Sequence, residues 1–129
     1  MKYLGIDYGD SKVGLAIGDS ESNLALPYKI IKNSGWTTLF QDLADVIKAE
    51  NVEMIVVGLP LNTRSESSTQ TEATRKFALE LQKVLGMDLD LFDERFSSQQ
   101  AQKMGAGQRD DDVAAMIMLQ SYLDANPDV

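Results

Sequence analysis

The spacing of apolar residues changes once along the chain, and this change constrains the fold more than any other feature. Up to Lys32 most apolar residues alternate with small or polar ones, which is the period of a β-strand. From residue 36 onwards they recur at helical spacing, interrupted by two short apolar or alternating runs. The chain therefore predicts a strand-rich beginning followed by alternating helices and strands.

The individual segments follow from this pattern. The first two strands form a predicted hairpin, because Tyr8-Gly9-Asp10-Ser11 has the composition of a turn. A helix is predicted to start near Thr69 and to stop at Gly86. The full prediction places strands at 2–8, 12–19, 26–32, 54–59 and 89–93, and helices at 36–50, 69–85, 97–104 and 110–125.

The order of these segments predicts the architecture. The run Met54–Leu59 is short, apolar and rich in β-branched residues, as a buried parallel strand should be. A helical crossover normally delivers the next strand parallel and right-handed. We therefore expect a mixed five-stranded α/β sheet of order 3-2-1-4-5 with helices on both faces, the architecture of ribonuclease H-like domains. The 129 residues suit a single domain spanning 1–129.

Composition excludes several kinds of chemistry. The chain has no cysteine and no histidine, which excludes disulfides, thiolate catalysis, Ser-His-Asp catalysis and the usual zinc sites. Twelve basic against 20 acidic residues give a net charge of −8. A polyanion is then repelled on average and must be held by local basic residues or bound cations. No export signal or membrane span is visible, so we expect a cytoplasmic protein without a membrane partner.

Three groups of acidic residues occupy positions where chemistry is possible. Asp7 ends the first strand, Asp93 and Glu94 end the fifth, and residues 110–112 are three aspartates that begin the last helix. Each group also has a purely structural interpretation. Asp7 suits a turn, Glu94 suits a surface ion pair with its neighbour, and aspartates are favourable at a helix N-terminus.

Taken together, the acids indicate a metal site. In the expected sheet, strands one and five end at the same edge, and a helix packed across that edge brings a third acid near. Clustered carboxylates repel each other unless a cation neutralises them, and Mg²⁺ and Mn²⁺ prefer such oxygen ligands. Two ions roughly 3.5–4 Å apart can activate water and stabilise the leaving oxygen in phosphodiester cleavage, which needs neither histidine nor cysteine.

Four motifs also carry a family resemblance that covers nearly all of residues 2–124. The chain resembles the YqgF family, also called RuvX or Holliday-junction-resolvase-like. The motifs are Leu4-Gly5-Ile6-Asp7-Tyr8-Gly9 with Lys12-Val13-Gly14-Leu15-Ala16, Ile55-Val56-Val57-Gly58-Leu59-Pro60-Leu61-Asn62, Asp93-Glu94-Arg95-Phe96-Ser97-Ser98, and Asp111-Asp112-Val113-Ala114-Ala115.

The resemblance implies a ribonuclease H-like fold and a bacterial cytoplasmic nuclease that trims the 5′ end of precursor 16S ribosomal RNA. It places the catalytic, metal-binding acids at Asp7, Glu94 and Asp111, where Mg²⁺ or Mn²⁺ would bind, with two ions expected. Asp111 is preferred to its neighbours because it stands four residues before Ala115.

The resemblance also implies substrate contacts. Asn62 would lie near the substrate with the Gly58–Pro60 turn, and Lys12 and Arg95 would be phosphate contacts or structural partners. The chain departs from the family pattern by having fewer basic residues after Gly9 and between residues 99 and 110.

Several functions stay open at this point. Structured RNA, in the form of precursor 16S ribosomal RNA, is the first expectation for a partner, and a DNA junction cut by a resolvase is the second. The missing basic residues favour a third possibility, a catalytically weak protein that binds nucleic acid or an assembly partner. Nucleotide binding of the actin-like kind ranks last, because the chain is too short for that two-lobed fold. The sequence leaves the oligomeric state open.

Overall fold

The computed structural model describes residues 1–60, 69–93 and 111–125, with Asp111 described by its backbone only. The strands are β1 (Lys2–Tyr8), β2 (Lys12–Asp19), β3 (Leu24–Lys32), β4 (Met54–Leu59) and β5 (Leu89–Asp93). The helices are α1 (Trp36–Glu50), α2 (Thr69–Leu85) and α3 (Asp111–Ala125).

The predicted elements are confirmed over the described residues, with one difference. Strand β3 begins at Leu24 instead of residue 26, because the hydrogen-bonded ladder with β2 continues to the pair Asp19 and Leu24. The predicted helix at 97–104 lies outside the described residues.

The five strands form one mixed sheet in the order β3-β2-β1-β4-β5, as the element order predicts. Strand β1 pairs antiparallel with β2 and parallel with β4, and β4 pairs parallel with β5. Strands β1, β4 and β5 therefore all end at the same edge of the sheet. We call this the carboxyl edge, and Asp7, Leu59 and Asp93 mark it.

Helices cover both faces of the sheet. On one face, α1 and α2 pack against β1, β2 and β4. On the other face, α3 is the one helix among the described residues, and we call this the α3 face. The α1 and α2 side buries Leu4, Ile6, Val13, Leu15, Leu39, Leu43, Ile55, Val57, Phe77 and Leu81. The α3 face buries Tyr3, Ala16, Ala25, Val56, Ala115, Met118, Leu119, Tyr122 and Leu123.

Small residues in the sheet determine where α3 lies. A Cβ placed on Gly5 would come within 2.9 Å of the Leu119 Cβ, so the helix touches the β1 backbone there. Gly18, which is paired with Tyr3 near the start of β1, lies against both Leu119 and Leu123. The helix therefore runs opposite to β1. Its first residue is about 12 Å before Leu119 along the helix axis, towards the carboxyl edge.

Two polar side chains of α3 form hydrogen bonds at the two edge strands of the sheet, one at β3 and one at β5. Gln120 accepts a hydrogen bond from the Ala25 backbone N–H (2.8 Å) and donates one to the Asn23 carbonyl (2.9 Å). On the other side the Tyr122 hydroxyl donates to the Asp90 carboxylate over 3.0 Å. Burial, reinforced by this hydrogen bond and by the charge of Asp90, raises the pKa of Tyr122. These contacts hold the helix in one register across the sheet.

Candidate active site

Asp7 is the next-to-last residue of the central strand β1 and lies on the α3 face. It is half-buried, it pairs with Gly14 on β2, and it follows Tyr3 and Gly5 on the α3 face. Continuing the parallel register from Ile6 and Val57 places Gly58 beside it on β4. Neither glycine contributes a side chain, so the Asp7 carboxylate stands between two bare positions of the sheet.

The turn after Asp7 forms a depression of about 430 Å³ lined by residues 7–12. A Cβ at Gly9 would lie 2.6 Å from the Lys12 carbonyl oxygen, so this tight turn requires glycine at that position. Asn33 holds the turn from the side of β3. Its side-chain amide donates to the Gly9 carbonyl and its backbone N–H donates to the Ser11 carbonyl, both over 2.9 Å.

Tyr8 is fixed at both its backbone and its side chain. The Gln70 side-chain amide donates to the Tyr8 carbonyl over 3.2 Å, and the Trp36 indole N–H donates to the Tyr8 hydroxyl over 3.0 Å. The Tyr8 ring also stacks on Phe77 with a centroid distance of 4.2 Å. Because Tyr8 follows Asp7 directly, these contacts hold the backbone that carries the carboxylate, as a preorganised site requires.

The end of β4 joins the same edge. The Thr71 hydroxyl at the start of α2 donates to the Pro60 carbonyl, which anchors α2 where β4 ends. Gly58 therefore lies beside Asp7, and Pro60 follows it where β4 ends.

The predicted site residues are described to different extents. Asp7 and Lys12 both line the depression, and Lys12 is exposed at the first position of β2. Asp111 begins α3, but its side chain is outside the described part, as are the whole of Asn62, Glu94 and Arg95. Within residues 1–60, 69–93 and 111–125, no three acidic side chains lie close enough to hold a metal ion. The convergence of the three acids stays a prediction.

Sequence reasoning missed two residues of this edge, Asn33 and Gln70. Both act on the turn through hydrogen bonds to backbone carbonyls across 24 and 62 residues of chain. An asparagine after a strand is a common turn residue, but no local pattern shows which carbonyl it reaches.

With this geometry established, known proteins provide a comparison. The family model described as "RuvX: Holliday junction resolvase" matches residues 1–125. The chain belongs to the RuvX family. The RuvX chain is 36% identical to a protein of Maridesulfovibrio salexigens, over 95% of this chain and 98% of that protein. It is 35% identical to a protein of Caldanaerobacter subterraneus, over 97% of each. Both relatives are named "Putative pre-16S rRNA nuclease".

Solved structures show the fold of the RuvX chain. Thermus thermophilus RuvC in complex with a Holliday junction superposes with a TM-score of 0.69 and 16% identity, covering 98% of this chain and 95% of that one. The fowlpox virus Holliday junction resolvase superposes with a TM-score of 0.54 and 14% identity, covering 98% and 99%. The predicted ribonuclease H-like fold is thus confirmed. None of the described helices has the length and apolar character needed to cross a bilayer.

Proposed function

We propose that this RuvX protein is a metal-dependent nuclease that processes the 5′ end of precursor 16S ribosomal RNA in the cytoplasm. The relatives' name supports the substrate, and family membership supports the class of enzyme. One structural observation carries the proposal. Asp7 lies at the carboxyl edge between two glycine positions, on the face where α3 begins.

The metal ligands proposed are Asp7, Glu94 and Asp111. The described residues fit this set, because β1 ends at the carboxyl edge and the first residue of α3 lies towards the same edge. Phe92 pairs with Gly58 and shares the α3 face with Asp7, and Glu94 is the second residue after it in the sequence. Carboxylate oxygens are the donors that Mg²⁺ and Mn²⁺ prefer.

Each of these residues would then have a separate role. Asp7 and Asp111 would hold the metal, and Glu94 would hold it or orient the attacking water. When bound, two divalent ions would supply water activation and stabilisation of the leaving oxygen. Lys12, Asn62 and Arg95 would contact the substrate. Because the chain carries a net charge of −8, the cations and these contacts would offset its repulsion of RNA.

The test replaces Asp7 with Asn. Loss of several kcal/mol of charge stabilisation in the transition state corresponds to a loss of cleavage rate of about 100-fold or more. Cleavage of a precursor 16S RNA fragment should be measured across Mg²⁺ and Mn²⁺ concentrations, with thermal unfolding to verify that the variant folds. Asp45→Asn is the matched control, since Asp45 is exposed in the middle of α1 and loses the same charge.

The outcome separates the candidate functions. Equal cleavage by wild type and Asp7→Asn would show that the activity does not come from this site. A parallel assay on a four-way DNA junction tests the resolvase alternative, which replaces the proposal if the junction is cut and the RNA is not. If neither substrate is cut but RNA still binds, the protein is a binding module.

A further inference from the structure

Two lysines stand directly opposite each other where β2 begins and β3 ends. The antiparallel register pairs Lys12 with Lys32, and both side chains are exposed. Directly opposed side chains in such a ladder have Cβ atoms about 4.5–5.5 Å apart, and like charges there repel. No ion pair compensates either lysine among the described residues.

The lysine pair shares its face and its edge with Asp7. Gly14 is the β2 partner of Asp7, and Lys12 lies two residues before it, which is one period of the strand. Lys12 is therefore a diagonal neighbour of Asp7, at a Cα distance of about 7–8 Å in a regular ladder. Lys32, opposite Lys12, lies one strand farther from Asp7, in the row next to the one that Asp7 forms with Gly14 and Ile30.

Hydrogen bonds to the turn beside the pair hold the two lysines next to each other. Asn33 directly follows Lys32, and it donates two hydrogen bonds of 2.9 Å to the Gly9 and Ser11 carbonyls. The end of β3 is thus tied to the turn that leads into Lys12. Two cations held side by side, without an ion-pair partner in the part of the chain that the structure describes, make a local binding position for an anion.

We propose that Lys32 and Lys12 together bind a backbone phosphate of the substrate next to the one that is cleaved. The RNA strand then passes from Asp7 over the ends of β2 and β3. The identity of the ligand rests on the proposed function, whereas the lysine pair itself depends only on the register of the sheet. Lys32 is a substrate-positioning residue, because it lies one strand farther from Asp7 than Lys12 does.

The test measures the salt dependence of RNA binding. A labelled precursor 16S RNA fragment is titrated with protein in EDTA, so that cleavage does not interfere, at several salt concentrations. Each phosphate contact contributes about 0.7 for single-stranded and about 0.9 for duplex nucleic acid to the slope of log affinity against log salt. Lys32→Gln should reduce the slope by that amount, and Lys32→Arg should restore it.

The same strand provides a matched control. Lys29 is also exposed on β3, but it pairs with Leu15 and therefore belongs to the opposite face of the sheet. Lys29→Gln removes the same charge and should leave the slope unchanged. Thermal unfolding should show that Lys32→Gln is at least as stable as wild type, because the substitution removes a like-charge repulsion.

Cleavage measurements separate this inference from the proposed function. If the wild type cleaves the RNA, Lys32→Gln should raise KM and leave kcat unchanged, since the bound phosphate is not the reacting one. The inference fails if Lys32→Gln keeps the wild-type salt slope, or if Lys29→Gln lowers it equally. If the wild type does not cleave but the slope changes as expected, the proposed function fails and the phosphate-binding pair stands.

Discussion

Adding one methyl group at Gly5 tests how α3 lies on the sheet. The new Cβ would lie 2.9 Å from the Leu119 Cβ, 3.2 Å from its Cδ2 and 3.4 Å from its Cγ. Optimal carbon contacts are about 3.5–4.0 Å, so the Leu119 Cβ must retreat by at least about 0.6 Å. A Cβ is attached to the helix backbone and cannot rotate away. The whole of α3 must therefore move.

The expected cost follows from this geometry. Overpacking a well-packed core costs about 1–3 kcal/mol, and the reduced freedom of the unfolded chain returns about 0.4–1 kcal/mol when glycine becomes alanine. We expect Gly5→Ala to lower the free energy of unfolding by about 1–2 kcal/mol. Cleavage should fall too, because α3 begins at Asp111 and its displacement changes the position of that residue relative to Asp7.

Gly18→Ala is the control for Gly5→Ala. Its new Cβ would also meet Leu119 at 2.9 Å, but at the Cδ2 methyl, which can rotate. The cost should be smaller, and most of it should vanish in combination with Leu119→Ala, which removes Cγ and Cδ2. Leu119→Ala leaves the Cβ in place, so it should relieve Gly5→Ala less completely.

The assay is denaturant unfolding followed by fluorescence of Trp36, the only tryptophan. Trp36 packs against Phe40 and Phe77 on the α1 and α2 side, so it reports unfolding without touching the substituted contact. A double-mutant cycle gives the coupling to Leu119. If Gly5→Ala is as stable as wild type, or if it lowers the free energy of unfolding less than Gly18→Ala does, then the Leu119 Cβ does not lie against Gly5.

Two further predictions follow from the turn and from the α3 contact with β5. Gly9→Ala brings a Cβ to 2.6 Å from the Lys12 carbonyl oxygen, so the variant should unfold at a lower temperature and cleave more slowly in the presence of metal. A variant with the stability and activity of the wild type would contradict the tight turn. The pKa of Tyr122 is raised by burial and by Asp90, while an unfolded tyrosine ionises at about pH 10. The folded state therefore keeps a proton that the unfolded state loses, and stability should fall as pH rises above about 10. Tyr122→Phe should make that fall shallower in denaturant titrations at alkaline pH, and an unchanged pH dependence would rule out this linkage.

Most strand and helix bounds could be predicted because their signals are local. β1, β2, β4 and β5 have the predicted limits, since alternation and turn residues act within a few positions. Among the described elements, β3 alone extends beyond its prediction, to Leu24. It is an edge strand with Leu24 and Leu26 exposed, so burial does not shape its sequence as it shapes a central strand.

For the candidate site, the sequence indicates which kinds of side chain are available, whereas the residues that hold the turn beside Asp7 depend on the tertiary structure. An aspartate at the end of a buried strand makes Asp7 a candidate, because carboxylates are the hard metal ligands left in a chain without histidine or cysteine, and the metal-binding role of Asp7 stays a prediction. Asn33 and Gln70 were not predictable, since their hydrogen bonds depend on where distant segments meet. The same holds for Lys32, whose position opposite Lys12 exists only in the β2–β3 register.

The amino-acid sequence alone determined the order of the elements, the mixed sheet and the kind of side chain available for chemistry. Periodicity and composition express these properties over a few residues, independently of the rest of the chain. The tertiary structure decided that Leu119 lies on Gly5, that α3 begins towards the carboxyl edge, and that two lysines lie opposite each other on the same face as Asp7. Such contacts depend on the burial and register of segments far apart in the chain, which no local pattern specifies.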